Sequence, residues 1–352
     1  MIKRTAILIL LAGLLVSLAL FLTVNREQRF QQHLYVFGTW VDVTIWGVSE
    51  DQAYQAINAI ETDFQTQHDQ WHAWHSSPLT DLNKAIAAGQ AWNVQSASLL
   101  SLLVQAKRFF HQSEGLFNPA IGQLIALWGF HQDDLSNHHA VPPAEKIAEL
   151  VALAPSMDDI EIDGNQVTSR NRAVQFDFGA FAKGYAVDLA IDKLRSVGIH
   201  NAIVNAGGDL KAIGQKEEQP WLIGIRHPSG KGVLAACSVS GEESVMTSGD
   251  YERFRESEGV RYSHLLDPRT GWPVQGLTSV TVIDRSGVLA DAASTALSVA
   301  GLPDWHRIAR KMGIKYVMLV DEAGTVYMNP AMAARIQFPG EKRPKIVVSE
   351  PL

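Results

Sequence analysis

The stretch FDFGAFAKGYAVDLAIDKLRSVGIHNAIVNAGGDLKAIG, from Phe176 to Gly214, decides the fold. A short extended run breaks at Gly179, and a helix follows. Ala182, Ala186, Ala190, Leu194 and Val197 recur at helical spacing with Leu189 beside them. That stripe faces a core and leaves Asp188, Asp192 and Arg195 for water. Gly198 stands where a glycine just past the last turn ends a helix, and Ala202-Ile203-Val204 reads as the next strand. A second glycine turn, Asn205-Ala206-Gly207-Gly208-Asp209, closes the unit. Asp177 and Lys183 flank the turn that leads into the helix. Free backbone N–H groups plus an ammonium suit a phosphate there, and a nearby carboxylate suits a metal or a hydroxyl. A helix-capping aspartate beside a solvated lysine would give the same pattern.

Working outward, Val41, Val43 and Ile45 alternate with polar or larger residues as in a half-buried strand. Ser49 and Gln52 fit a capping box ahead of a helix carrying Tyr54, Ile57, Ile60 and Phe64. This helix could continue through His68, Trp71, His72, Trp74 and His75. A second helix spans about Ser98 to His111. Residues 131–143 read as a surface loop before a helix near Ala144, and Asp163-Gly164-Asn165 as the turn of a hairpin. Downstream, 221–225, 233–239 and 277–283 read as strands and 290–299 as a helix ended by Gly301. The segments 314–320 and 325–328 form a closing hairpin. Strands and helices mix without regular βαβ alternation, so the class is α+β: one catalytic domain of mixed or antiparallel sheets flanked by helices, over 31–352.

Residues 1–30 stand apart. Lys3 and Arg4 precede an uncharged apolar run from Thr5 to Val24, long enough to span a bilayer core. The basic end stays in the cytoplasm, which puts the body of the protein outside it. An uncleaved transmembrane anchor is the favoured reading, with a signal peptide cut after Ser17-Leu18-Ala19 as its competitor. The expected location is therefore a bacterial inner membrane, single-pass, with the folded part in the periplasm. A charge of −7, a pI near 5.9 and the lack of any lysine-arginine block exclude nucleic acid as a partner. The single cysteine, Cys237, rules out an internal disulfide and a cysteine metal cluster.

Several constellations could carry chemistry. Asp291 and Thr295 lie four apart on one helix face and offer hard oxygen ligands, which suit Mg²⁺. The same pair could instead be a helix-stabilising aspartate and a threonine bonded back to the backbone. His264, ahead of the turn Asp267-Pro268, could serve as an acid or base near neutral pH, or simply tie the turn together. Thr247-Ser248-Gly249 sets two hydroxyls at a glycine turn. His68, His72 and His75 have spacings that could face a zinc ion, although the interleaved Trp71 and Trp74 suit an aromatic wall better. No G-x-G-x-x-G follows a strand, so a dinucleotide fingerprint is absent. Asp177-Phe178-Gly179 lacks every other kinase motif.

Taken together, these segments resemble the ApbE family of flavin transferases. The resemblance rests on Phe37-Gly38-Thr39, residues 116–122 leading to 127–130, residues 177–188, Asn205 to Asp209, Thr247 to Tyr251, His264 to Gly271 and Ala290 to Leu297. It implies a magnesium-dependent enzyme that transfers the FMN half of FAD to a Thr or Ser hydroxyl of an acceptor protein and releases AMP. Membrane electron-transfer subunits are the implied acceptors. Carried over, Asp177 and Lys183 contact FAD. The carbonyl of Ala180, with Asp291 and Thr295, holds magnesium, and Ser294 joins that set. Phe37 stands where the family often has methionine beside the flavin, and Trp74 takes the place of another aromatic. Leu116, Phe117, Thr247 and Leu265 complete the FAD contacts. Asn118 replaces a common aspartate and keeps a hydrogen-bonding role without charge. His264 matches the catalytic histidine. Many family members are lipoproteins, but Leu14 occupies the lipobox cysteine position here, so the apolar helix must be the anchor. Two other readings share the groove: an FAD pyrophosphatase giving FMN and AMP, and a periplasmic flavin-binding protein without turnover.

Overall fold

The structure, a computed structural model, describes residues 29–132, 140–230, 232–340 and 343–352. The apolar run Thr5–Val24 and most of the loop expected at 131–143 lie outside them. No helix among the described residues is long and apolar enough to cross a membrane. Arg29 and Phe30, which the sequence reading put in the leading segment, belong to the first strand, Arg29–Val36.

A nine-stranded sheet forms the centre. Its order is Arg29–Val36, Thr39–Trp46, Ala202–Ala206, Asp209–Gly214, Gly241–Gly249, Leu277–Asp284, Tyr316–Asp321, Val326–Met328 and Ile346–Val348. Every neighbouring pair is antiparallel except the last, which is parallel. Both faces of the sheet are covered, so its central strands read as near-continuous apolar runs rather than clean alternations. On one face, Val204, Val280, Val282, Val317 and Leu319 pack on the helices. On the other, Leu210, Ala212, Val245, Ile283 and Met318 meet Trp221, Ile223 and Cys237 of a three-stranded sheet. That second layer accounts for Cys237, which is a buried core thiol.

Two helices on the first face matter most: Ala182–Ser196, here the turn helix, and Gly287–Met312, the late helix. The turn helix ends as its sequence dictates. Gly198 takes φ 81°, and the N–H of Ile199 returns to the carbonyl of Leu194 at 2.9 Å. Its buried face differs from the expected stripe, however. Gly184, Val187 and Ile191 are buried with Ala186, Ala190 and Leu194, while Val197 lies exposed at the terminus. Asp188 is not left to water either. Its carboxylate accepts from Gly287 N and Val288 N, both at 2.9 Å, and from the ammonium of Lys211 at 2.6 Å.

Other boundaries also moved for physical reasons. The helix Glu50–Trp71 stops before His72, whose Nδ1 accepts from the backbone N–H groups of Trp74 and His75. Ser49 caps that helix by accepting from Gln52 N, but the box is not reciprocal, because Gln52 donates to the carbonyl of Val197 instead. The late helix starts at Gly287 and leaves helical geometry at Gly301, where φ is 65°. Pro303 then opens a further helical stretch to Met312.

The turn helix and the late helix cross at two glycines. A Cβ added to Gly184 would lie 2.4 Å from the carbonyl oxygen of Gly287 and 2.7 Å from Cβ of Asp291. Backbone atoms cannot yield as a side-chain tip can, so overpacking here separates the helices. Gly184→Ala is expected to destabilise the protein by about 1–3 kcal/mol in urea denaturation. A loss within about 0.5 kcal/mol, as at an ordinary surface site, would contradict the close crossing.

Candidate active site

The organising turn is held by local bonds. The side-chain amide of Asn83 brackets Phe176, donating to its carbonyl at 3.0 Å and accepting from its N–H at 2.8 Å. Phe178 and Phe181 fill the core on either side of Gly179. Asp177, half-buried between Phe176 and Phe178, is thereby held in place. One of its oxygens accepts from Gly179 N at 2.7 Å and the other from the indole N–H of Trp74 at 2.8 Å.

No side chain caps the turn helix at Phe181. Instead the N–H of Gly184, an orphan donor of the first turn, is taken by Asp291 of the late helix at 2.8 Å. One turn further along that helix, Thr295 donates its hydroxyl to the carbonyl of Ala180 at 3.3 Å. Ala180, Asp291 and Thr295 therefore meet in one place, as the sequence reading required. Ser248 bridges from the adjacent strand, with its hydroxyl 2.7 Å from that of Ser294 and 3.3 Å from that of Thr295. The fully buried Ser294 donates to the carbonyl of Asp291 at 2.8 Å while its hydroxyl pairs with that of Ser248.

Lys183 forms an ion pair with Asp209, whose other oxygen accepts from Thr247 N at 2.9 Å. Burial opposes the Lys183 charge, yet the fields of Asp209, Glu252 and Asp291 outweigh it and hold the ammonium above its usual range. Asp291 is pushed well above the carboxylate range by burial and by Asp209, against the pull of Lys183 and the Gly184 N–H. Glu252, which keeps solvent contact, is raised by burial of its carboxylate and by Asp209, against Lys183 and Arg226. Three carboxylates thus share the field of one ammonium. Of the three, Asp209 and Asp291 are buried, and buried like charges are costly unless cations join them; the donors on hand are a carboxylate, a hydroxyl and a carbonyl. That set fits a hard divalent ion such as Mg²⁺, which needs few protein ligands. No group of three or more His, Cys, Asp or Glu among the described residues could hold a metal, so His68, His72 and His75 do not form a zinc face.

His264 is oriented by its own backbone neighbourhood. Its Nδ1 lies 2.9 Å from the carbonyl of Arg253, which can only accept. The proton therefore sits on Nδ1 and leaves Nε2 with a free lone pair. The ring pKa is pushed down to about 4, chiefly by burial, with the charges of Arg253 and Lys183 adding and the carbonyl bond opposing. The imidazole is therefore neutral at pH 7, with Nε2 as its accepting nitrogen.

An aromatic wall stands nearby. Phe37 occupies the first position of the two-residue turn between the first strands with φ 56°, a conformation usually left to Gly, Asn or Asp. Its ring packs on Phe64 and lies parallel to Trp71 at 6.2 Å, and Trp71 in turn meets Tyr185 of the turn helix at 5.5 Å. Holding a bulky residue in that region costs of the order of 1–3 kcal/mol, which fits a ring needed in one place.

Five expected FAD contacts have side chains engaged within the fold itself. The side chains of Leu116 and Phe117 lie in the core against Phe109 and Phe181, so any contact with a ligand runs through their backbone. Asn118 is used structurally, donating to the carbonyl of Pro155 at 2.9 Å and accepting from Ala120 N. The hydroxyl of Thr247 pairs with that of the buried Thr281, on the sheet face away from the helices, while its neighbour Ser248 faces the cluster. Leu265 is buried beside His264 and carries the turn through its backbone. Sequence reasoning passed over Asp209, Glu252 and Tyr185 as site residues. Asp209 was legible in principle, because it closes a Gly207-Gly208 turn in which both glycines take positive φ.

Comparison with known proteins gives a consistent answer. The ApbE family model matches residues 37–318. A "FAD:protein FMN transferase" of Rhodobacter capsulatus is 42% identical over 330 residues, covering 94% of this chain and 62% of that protein's length. A protein of the same description from Treponema pallidum is 35% identical over 295 residues, 78% of this chain and 80% of its own. Among solved structures, the ApbE protein of Thermotoga maritima superposes with a TM-score of 0.77 at 32% identity, over 85% of this chain and 96% of that one. The flavinyl transferase ApbE of Pseudomonas stutzeri, in its apo form, gives 0.77 at 30% identity over 90% and 98%.

The depressed pKa of His264 has a definite sign. The unfolded chain takes up a proton near 6.5 that the folded ring refuses, so the stability associated with the neutral ring is present above 6.5 and is lost as pH falls towards 4. Lowering the pH from 7 to 5 is expected to reduce the melting temperature of the native protein more than that of a His264→Gln variant. An equal drop in both would show that the ring titrates normally.

Proposed function

The chain belongs to the ApbE family, and from that premise we propose that it is an FAD:protein FMN transferase. It moves the FMN half of bound FAD to a Thr or Ser hydroxyl of an acceptor protein and releases AMP. The observation that carries this reading is the meeting of the Ala180 carbonyl, Asp291 and Thr295 beside Lys183.

In this reading the isoalloxazine lies against the wall of Phe37, Trp71 and Tyr185, with Trp74 and Asp177 at its edge. The pyrophosphate comes to the turn-helix N-terminus and Lys183, where backbone dipole and ammonium both favour negative charge. Ala180, Asp291 and Thr295 would hold Mg²⁺, which when bound offsets charge on the phosphoryl oxygens. The acceptor hydroxyl forms the new P–O bond to the FMN phosphorus while the pyrophosphate P–O bond breaks and AMP departs. Nε2 of His264 takes the hydroxyl proton, a step expected to contribute roughly 10²–10⁴-fold. Lys183 steadies the leaving phosphate. Flavin here is cargo, and no electrons are exchanged.

The basic residues ahead of the apolar run Thr5–Val24 support an anchor that holds this body on the outer face of the inner membrane. Acceptors on that same face, such as membrane electron-transfer subunits, would then meet the site directly.

The test incubates the protein with FAD, Mg²⁺ and a candidate acceptor and weighs the acceptor by mass spectrometry. Addition of one FMN is expected. It should be lost in Asp291→Ala and on chelation of the metal, and fall roughly 10²-fold or more in His264→Ala, with circular dichroism unchanged. Free FMN and AMP without a tagged acceptor would point to hydrolysis, and tight FAD binding indifferent to Asp291 would point to storage.

A further inference from the structure

Asp188 has no place in the reaction just described, yet the fold commits a charge network to it and buries the lysine at its centre. The chain of alternating charges runs Arg195, Glu242, Lys211, Asp188. Lys211 is only 4% exposed and lies 2.8 Å from Glu242 and 2.6 Å from Asp188. Beyond its bond to Lys211, Asp188 accepts from the first two N–H groups of the late helix, at Gly287 and Val288. Asp291 lies one turn further on, and its own carboxylate accepts from Gly184, one turn before Asp188 on the turn helix. The two helices are therefore stitched in both directions: an aspartate of each accepts backbone N–H groups of the other. The Gly184–Gly287 contact between the stitches leaves no room to slide.

We infer that Asp188 is a positioning residue for the metal cradle, fixing the late-helix N-terminus so that Asp291 and Thr295 stay opposite the carbonyl of Ala180. The inference rests on the reading that this cradle holds a divalent cation. The geometry gives a specific reason. The Asp188 bonds set the height and rotation of the late helix within one turn of Asp291, and a ligand's position within a few tenths of an ångström decides affinity for a small, rigidly octahedral ion. Partners that orient ligands from behind typically govern 10- to 100-fold in metal affinity. Lys211 in turn fixes Asp188, since a half-buried carboxylate bonded to a buried ammonium has little freedom to swing away.

The experiment uses the full chain with saturating FAD and follows Mn²⁺ binding by electron paramagnetic resonance, so that the readout is occupancy rather than turnover. Asp188→Asn keeps the shape and presents an amide N–H₂ where an acceptor is needed. It is expected to raise the Mn²⁺ midpoint about 10- to 100-fold. Glu242→Gln breaks the same network without touching residues 287 and 288, and should lower thermal stability while leaving the midpoint unchanged. An unshifted midpoint in folded Asp188→Asn overturns the inference. An equal shift in Glu242→Gln also overturns it, because general loosening would then suffice. If Asp188→Asn does not fold, Lys211→Met decides in the same way: a raised midpoint supports the positioning role and an unchanged one overturns it. Failure of the unsubstituted protein to bind Mn²⁺ would instead overturn the reading of the cradle itself, and the inference with it.

Discussion

The rest of the molecule depends on one crossing, where the backbone of Gly184 lies against that of Gly287 and the N–H of Gly184 is taken by Asp291. A helix N-terminus normally finds its first acceptor in a local Ser, Thr, Asp or Asn. Here the acceptor arrives from a helix about a hundred residues later in the sequence, and nothing local replaces it. Docking of the late helix is thus a condition for completing the turn helix. It also determines that Ala180, the residue just before the uncapped start, faces a carboxylate and a hydroxyl.

Electrostatics gives that docking its chemical character. Asp291, Asp209 and Glu252 crowd round a single ammonium, and burial plus mutual repulsion raises the carboxyls Asp291 and Glu252. A fold seeking only stability would place apolar residues here, since buried ion clusters seldom repay their desolvation. Excess negative charge beside an exposed-end helix dipole and a lysine is sensible where a cation and a polyanion arrive together. His264 shows the complementary arrangement. It is held neutral by burial and by nearby cations, with its proton committed to a carbonyl, so its one free nitrogen can only accept.

Much of this was legible in the sequence, for reasons that can be named. The turn helix was readable because Gly179 and Gly198 mark its ends, and the Asp291–Thr295 pair because four residues bring two side chains to one helix face. Of the sheet, the strands at 41–45, 202–204, 277–283, 314–320 and 325–328 were recognisable, whereas Arg29–Val36, Asp209–Gly214, Gly241–Gly249 and Ile346–Val348 were not, and residues 247–249, read as a glycine turn, end one of them. The two covered faces were hidden as well, since a strand buried on both sides carries no alternation to show which residue faces which layer. The same ambiguity hid that Ser248 faces the late helix while Thr247 pairs with Thr281 on the other face. Asp188 was misread because helical periodicity reports which residues share a face, and says nothing about a second helix arriving at the polar edge with its own unpaired N–H groups. The aromatic run after Phe64 looked continuous because its spacing suits a helix, whereas the side chain of His72 draws the backbone into a turn.

A single oxygen-lined cation site, built by the late helix and the turn around Ala180 beside bound FAD, is what the reading above requires. Anomalous diffraction from crystals grown with FAD and Mn²⁺ examines it most directly. One peak is expected, bonded at once to the Asp291 carboxylate, the Thr295 hydroxyl and the Ala180 carbonyl, with flavin pyrophosphate oxygens completing the shell. A peak at any other ligand set, or FAD bound in the groove with no metal at Asp291, would contradict it.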